Sequence, residues 1–236
     1  MDHAAPPLQG KRAPDCHAAR TSTGWRCFEV IACSLGLIVA LPILGAAAVA
    51  IKIEDGGPVL FRQVRVGRNG ATFHLFKLRS MGTGPVSGAL VTAAGDKRIT
   101  RVGRVLRKYK LDEIPQLWNV MRSEMSLVGP RPEVPRYVDE SDSRWREILQ
   151  LRPGITDLAT LLHRDEERLL AAQPDPEEYY RRSILPAKLS LNLEYMQTST
   201  CGRDLKLILL SVVFSVWPSG MDAARLREEF LSKATT

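Results

Sequence analysis

The amino-acid sequence predicts an α+β protein, mostly helical, with a membrane-inserted helix ahead of a compact domain that carries a small β-hairpin. Three observations predict it. Residues Phe28 to Ile51 form an apolar run of 24 whose only charge is Glu29. Two short segments of alternating character, VLFRQVRV and TFHLFKL, flank Gly67-Arg68-Asn69-Gly70. Much of the remainder shows apolar residues at helical spacing.

As one helix the apolar run would be about 36 Å long, enough for a hydrocarbon core of about 30 Å. A cleaved signal peptide fits poorly, because the run starts late and is long for a signal core, although Ala46-Ala47-Ala48 could mimic a cleavage site. Pro42 interrupts the run and predicts a bend, since proline removes a backbone donor and crowds the preceding turn. Both flanks are basic, with Lys11, Arg12, Arg20 and Arg26 before the run and Lys52 after it. That symmetry gives a spanning helix no orientation, and a simple span and a re-entrant hairpin stand level. Residues 1–24, with Pro6, Pro7 and Pro14 and no periodicity, read as a disordered tail.

After Gly56-Gly57-Pro58 the alternating segments around Asn69-Gly70 read as a β-hairpin. Residues 82–95, rich in glycine and small side chains, read as a mobile loop. The stretch from Ile99 to Met125 reads as two helices or one broken near Lys110, with Leu111, Ile114, Leu117, Trp118 and Met121 on one face. EEYYRRSILPAKLSLNLEYMQ and RDLKLILLSVVFSVW also look helical. The apolar part of the last, Leu205 to Trp217, is 13 residues, too short to cross a bilayer. It is a core helix or one lying in the membrane interface.

The 236-residue chain carries a net charge of +7, unevenly placed. Arg62 to Arg131 holds 14 Lys and Arg against 4 Asp and Glu, whereas the flanking segments are neutral or acidic. Such a block calls for an anionic partner: phosphate esters, nucleic acid or an acidic lipid surface. Its few aromatic residues and its place beside an apolar run favour lipid or nucleotide phosphates over nucleic acid. Cys16, Cys27, Cys33 and Cys201 lie far apart and predict neither a disulfide framework nor a zinc site. There is no GxxxxGK[ST], no GxGxxG after a strand and no HExxH, so ATP-driven, Rossmann-type and zinc-hydrolase chemistry lose their support.

Three features carry chemistry. Asp112-Glu113 precedes Pro115, which is tolerated only in a first turn, so Asp112 is expected at a helix start, where it either caps the helix or faces a docked phosphate. Pro130-Arg131-Pro132 is a plain turn, or an arginine with little backbone freedom whose donor fork is aimed at phosphate oxygens. The cations Lys77, Arg79, Arg101, Arg104, Arg107 and Lys108 complete the set.

The stretches GGPVLFRQVRVGRNGATFHLFKLRSM, DKRITRVGRVLRKYKLDEIPQLWNVMRSEMSLVGPRPEVPRYV and LRPGITDLA closely resemble the bacterial sugar transferases known as monotopic phosphoglycosyl transferases. The resemblance runs from about Trp25 to Leu210 and looks like the small form of the family. It implies transfer of a phosphosugar from a UDP-sugar to polyprenyl (undecaprenyl) phosphate with release of UMP, the initiating step of glycan assembly. The aspartate matching Asp112 would attack the sugar-proximal phosphate and form a covalent phosphosugar. Glu113 and a Mg²⁺ ion would serve it, the metal lying against Asp112, Glu113 and the diphosphate. Arg131, between Pro130 and Pro132, would hold a phosphate, and Lys77, Arg79 and Arg107 match basic positions around the diphosphate. The lipid bilayer is an implied partner, nucleic acid is not, and a homodimer or downstream glycosyltransferases are further implied partners.

The resemblance also implies three parts. They are a tail over 1–24, a re-entrant membrane helix over 25–55 kinked at Pro42, and a catalytic domain over 56–236 on the cytoplasmic face of the bacterial inner membrane. Two departures stand out. The family breaks its helix at Ser-Pro, whereas Leu41 precedes Pro42 here, so only proline is left to bend the chain. The family's Lys-Arg-x-Phe-Asp becomes Trp25-Arg26-Cys27-Phe28-Glu29, with one base fewer for interfacial anchoring. The resemblance shifts Leu205 to Trp217 toward the interface. The rival reading is a catalytically silent membrane-attached scaffold for glycan assembly, and a basic nucleic-acid-binding protein stands further off.

Overall fold

The computed structural model describes residues 20, 22–83, 91–217 and 223–231. Most of the tail expected over 1–24 and residues 84–90 of the loop expected over 82–95 lie outside the described residues.

Helix α1, Thr23–Asp55, opens on Ser22, whose hydroxyl accepts the Trp25 N–H at 3.2 Å. It contains 33 residues and the helix is assigned without interruption through Pro42, to a left-handed Gly56 whose N–H returns to Lys52. Its buried residues, Glu29, Cys33, Ala40, Ala47 and Ile51, are spaced by four and seven and form one stripe. Ile31, Leu35, Ile38, Val39, Leu41, Ile43, Val49 and Ile53 are exposed. An apolar face that long is unfavourable in water and suits a bilayer.

Both ends of α1 are clasped by the rest of the chain. Near its start, the fully buried Glu29 accepts from the Ser126 hydroxyl and from the Leu127 N–H at 2.9 Å. Arg26 pairs with Glu29 at 3.2 Å and donates to the Met121 carbonyl at 3.0 Å. At its end, Glu54 accepts the Arg101 and Val102 N–H groups at 2.7 and 3.1 Å. Those are orphan donors of α2, Arg101–Lys108, whose Thr100 cap accepts the Gly103 N–H. Asp55 forms a two-pronged ion pair with Arg79, which also donates to Pro58 at 2.6 Å.

Strands β1, Leu60–Val66, and β2, Thr72–Leu78, pair antiparallel from Leu60 opposite Leu78 to Val66 opposite Thr72. Asn69 and Gly70 supply the positive φ, 57° and 76°, that the expected Asn-Gly turn requires. The hairpin is hooked to α3, Gln116–Met121. Asn119 accepts the Phe76 N–H at 3.1 Å and donates to the His74 carbonyl at 2.7 Å. The apolar face read from the sequence is not the most deeply buried one. Leu117 and Met121 meet α1 and Trp118 stays exposed, while the fully buried positions are Gln116, Asn119 and Val120.

A second pair was not legible in the sequence: β3, Ser126–Val128, lies parallel to β4, Gly154–Thr156. The Gly129 N–H donates to Thr156 and the Gly154 N–H to Pro130. Contact is so close that a Cβ on Gly154 would fall 2.1 Å from the Gly129 nitrogen. Helices α4, Ser143–Ile148, α5, Leu158–Leu162, α6, Glu166–Ala171, and α7, Pro176–Tyr179, follow. A π-helical turn, Tyr180–Ile184, joins α7 to α8, Leu185–Thr198, and α9, Cys201–Val216, and α10, Ala223–Leu231, come last. Val128, Leu158, Tyr195, Leu207 and Phe230 share one core, and Trp145, Leu170, Tyr180 and Leu189 another. On α9, Leu207 is buried while Leu209, Val212, Val213 and Val216 are exposed, so the helix is part core and part apolar surface.

Gly154→Ala is expected to destabilise the domain by about 2 kcal/mol or more, because the methyl meets backbone that cannot move aside. Thermal or denaturant unfolding checks this, and an unchanged midpoint would mean that β3 and β4 lie further apart.

Candidate active site

Asp112 and Glu113 lie in a 3-10 turn, Leu111–Glu113, between α2 and α3. The chain turns there on Lys110, which holds a left-handed φ of 56°, an uncommon conformation for a residue with a side chain. The break near Lys110 is as expected, but Asp112 does not cap α3. That helix starts at Gln116 after Pro115, with no side-chain cap. The intervening 3-10 turn keeps the Asp112 carboxylate away from the α3 N–H groups, and its Oδ1, buried, has no partner among the described residues.

Glu113 is fully committed. Its Oε1 accepts from Lys77 at 3.1 Å and from Arg131, and its Oε2 lies 3.4 Å from a second Arg131 nitrogen. Burial alone would raise the Glu113 pKa, but Arg131 and Lys77 override it and hold the carboxyl well below the usual carboxylate range. Asp112 goes the other way: burial, then the Glu113 charge, push its pKa up, against the pull of Lys77, Lys110 and Arg107. The two neighbours divide into a locked anion and a desolvated carboxyl with a free oxygen. Burial lowers Lys77 to about 8, even with the Glu113 charge acting to raise it.

Of the residues predicted from sequence, the structure brings Asp112, Glu113, Lys77 and Arg131 together, with Pro130 and Pro132 flanking the arginine. Arg107 contributes charge at Asp112 while its guanidinium pairs with Glu167. Arg79 is found elsewhere in role: its fork is spent on Asp55 and Pro58, where it ties down the end of α1. The alternation of β2 puts Lys77 and Arg79 on the same side, but the chain returning from α1 reaches Arg79 first.

Sequence reasoning missed the groups that hold the Arg131 loop. Asp157, almost fully buried, accepts the Arg131 N–H at 3.0 Å and caps α5 through the Thr160 N–H. On the other side Arg65 donates to the Pro132 carbonyl at 2.9 Å, and Glu133 accepts the Tyr180 hydroxyl at 2.6 Å. An aspartate three residues before a threonine at a helix start was the readable signal for Asp157.

Among the described residues no group of three or more His, Cys, Asp or Glu is placed to hold a metal. A cation of the Mg²⁺ type needs less from the protein, because it keeps waters and takes oxygens from phosphates. The unpartnered Asp112 Oδ1 fits one ligand of such an ion, and Glu113 could add an oxygen only while sharing it with Lys77 and Arg131.

Two juxtaposed carboxylates, with Lys77 and Arg131 paired to one of them and a braced arginine loop beside them, make up the candidate active site of an enzyme. The chain belongs to the bacterial sugar transferase family, whose model matches residues 20–217. It is similar to a UDP-glucose:undecaprenyl-phosphate glucose-1-phosphate transferase of Caulobacter vibrioides, 41% identical over 191 residues that cover 79% of this chain and 67% of that one. An undecaprenyl-phosphate glucose phosphotransferase of Komagataeibacter xylinus is 36% identical over 79% of this chain and 35% of its own length. The exopolysaccharide production protein PSS of Rhizobium leguminosarum bv. phaseoli is 34% identical over 80% of this chain and 92% of its own. The chain thus spans about a third of some of the curated relatives it matches and most of others.

The Lys77 ammonium should titrate near pH 8 rather than 10.5 when followed by NMR of labelled lysine. The Glu113 anion favours the charged ammonium, so Glu113→Gln should move that midpoint lower still. A midpoint at the ordinary value would contradict the burial of Lys77, and one that rises in the variant would contradict the ion pair.

Proposed function

We propose that this protein transfers a phosphosugar from a UDP-sugar to polyprenyl phosphate, such as undecaprenyl phosphate, with release of UMP. One observation carries the reading: Glu113 takes both cations, which leaves its neighbour Asp112 desolvated, with an unpartnered oxygen. A buried carboxylate with an oxygen not engaged by the protein is suited to attack phosphorus. The names of the relatives, which act on UDP-sugars and undecaprenyl phosphate, support the substrates.

In the first step an Asp112 oxygen forms a bond to the sugar-proximal phosphorus. The bond from that phosphorus to the bridging oxygen breaks, and UMP leaves with the electron pair. In the second, an oxygen of polyprenyl phosphate attacks the same phosphorus and the Asp112 carboxylate departs, which regenerates the enzyme. Arg131, held by Asp157 and Arg65, presents its guanidinium to the phosphates, and its charge opposes that which builds on the equatorial oxygens. Lys77 keeps Glu113 in place and adds positive potential. Asp112 and Glu113 would hold a Mg²⁺ ion, which would supply positive charge against that of the diphosphate.

The same reading includes a re-entrant α1 whose two ends lie on the cytoplasmic face of the inner membrane. Its support is that residues 26–36 and 44–55 both pack on the one domain. A spanning helix would put one of those clasps across the bilayer from its partners. The exposed Leu209, Val212, Val213 and Val216 of α9 supply a second apolar surface for the interface.

Mixed with UDP-sugars in the absence of acceptor, the enzyme should release a burst of about one UMP per site, and Asp112→Asn should release none. A full burst from Asp112→Asn would remove Asp112 from the chemistry. Single cysteines at Ser22 and Val59 should react with an impermeant thiol reagent only from the cytoplasmic side. Labelling from opposite sides would restore a spanning helix.

A further inference from the structure

We infer that Gln116 is a substrate-contacting hydrogen-bond donor, its Nε2 donating to a non-bridging oxygen of the phosphoryl group that passes through Asp112. The inference rests on the aspartyl-phosphosugar reading and adds a residue to it.

Gln116 is 1% exposed, and its Nε2 is buried with no partner among the described residues. A buried amide donor without an acceptor is costly, and native proteins keep few of them. Only five buried side-chain atoms are unpartnered among the described residues, and three belong to Asp112, Gln116 and Arg107. Two of the three lie in the short stretch from Asp112 to Gln116, and the third, Arg107, acts electrostatically on Asp112. Asn119, one turn further along the same helix, shows how a structural amide is satisfied: it bonds Phe76, His74 and Glu124.

Asp112 and Gln116 are four residues apart: Asp112 lies in the 3-10 turn and Gln116 opens α3, so little more than one turn of chain separates them. The orphan acceptor Asp112 Oδ1 and the orphan donor Gln116 Nε2 do not satisfy each other. A group lying between them would meet both if it offered an electrophile to the carboxylate and an acceptor to the amide. A phosphoryl group does both, through phosphorus and through a non-bridging oxygen. An amide also has an advantage over a cation here. It carries no charge, so it does not form an ion pair with Asp112 that would have to break before attack.

The experiment compares the acceptor-free UMP burst of the full chain in lipid nanodiscs with that of Gln116→Met and Gln116→Ala. Methionine is of similar volume and removes the orphan donor, so Gln116→Met should melt no lower than the unaltered protein. Its burst should slow by about 100-fold, the usual effect of losing one transition-state donor. UDP-sugars carrying sulfur at either non-bridging position of the sugar-proximal phosphate supply the second readout. The unaltered protein should discriminate between the two diastereomers, and Gln116→Met should lose that discrimination. An undiminished burst in both variants, or a slowed burst with the diastereomer ratio intact, would overturn the inference alone. No burst from the unaltered protein would overturn the aspartyl reading beneath it, and the inference with it.

Discussion

Two carboxylates on adjacent residues, buried together, repel each other, and this site resolves the conflict by giving both cations to one of them. Glu113 receives Lys77 and Arg131, and Asp112 receives neither. Burying an ion pair is costly unless its geometry is held, so the surrounding fold can be read as what holds it. Lys77 arrives on β2, which Asn119 hooks to the helix that follows the dyad. Arg131 arrives on a loop whose backbone is fixed by Asp157, by Arg65 and by the parallel pair β3 and β4. Each cation is thus delivered from a different part of the chain, and each delivery is braced.

The long apolar helix is joined to this arrangement at both of its ends. Glu29 bonds the β3 edge, only a few residues before Arg131 in the chain. Glu54 and Asp55 bond α2 and Arg79, the latter just past the end of β2 and close in the chain to Lys77. The long apolar helix and the Asp112–Glu113 pair are therefore mechanically continuous, as the proposed transfer between a water-soluble donor and a lipid-borne acceptor requires.

Much of this was legible in the sequence, for identifiable reasons. The hairpin showed because alternation and Asn69-Gly70 are local signals. The dyad and Pro130-Arg131-Pro132 showed because their chemistry lies in neighbouring residues. The buried face of α3 did not. The usual rule buries the apolar side, and here Leu117 and Met121 of that side meet α1 while Gln116 and Asn119 are buried with Val120. Asp112 was expected at a helix start, capping it or facing a docked phosphate, and it lies instead in the 3-10 turn after Lys110 and caps nothing. Arg79 looked like a substrate ligand because charge alone does not reveal a partner 24 residues away, and Asp55 is that partner. Asp157 was overlooked for the same reason, since it acts on Arg131 across 26 residues.

The central claim is that the locked carboxylate and the reacting one are different residues. The most direct measurement is fragmentation mass spectrometry of the enzyme quenched after mixing with a UDP-sugar alone. The account predicts a phosphosugar mass on Asp112 and none on Glu113. Finding that mass on Glu113, or turnover with no covalent adduct on either residue, would contradict it.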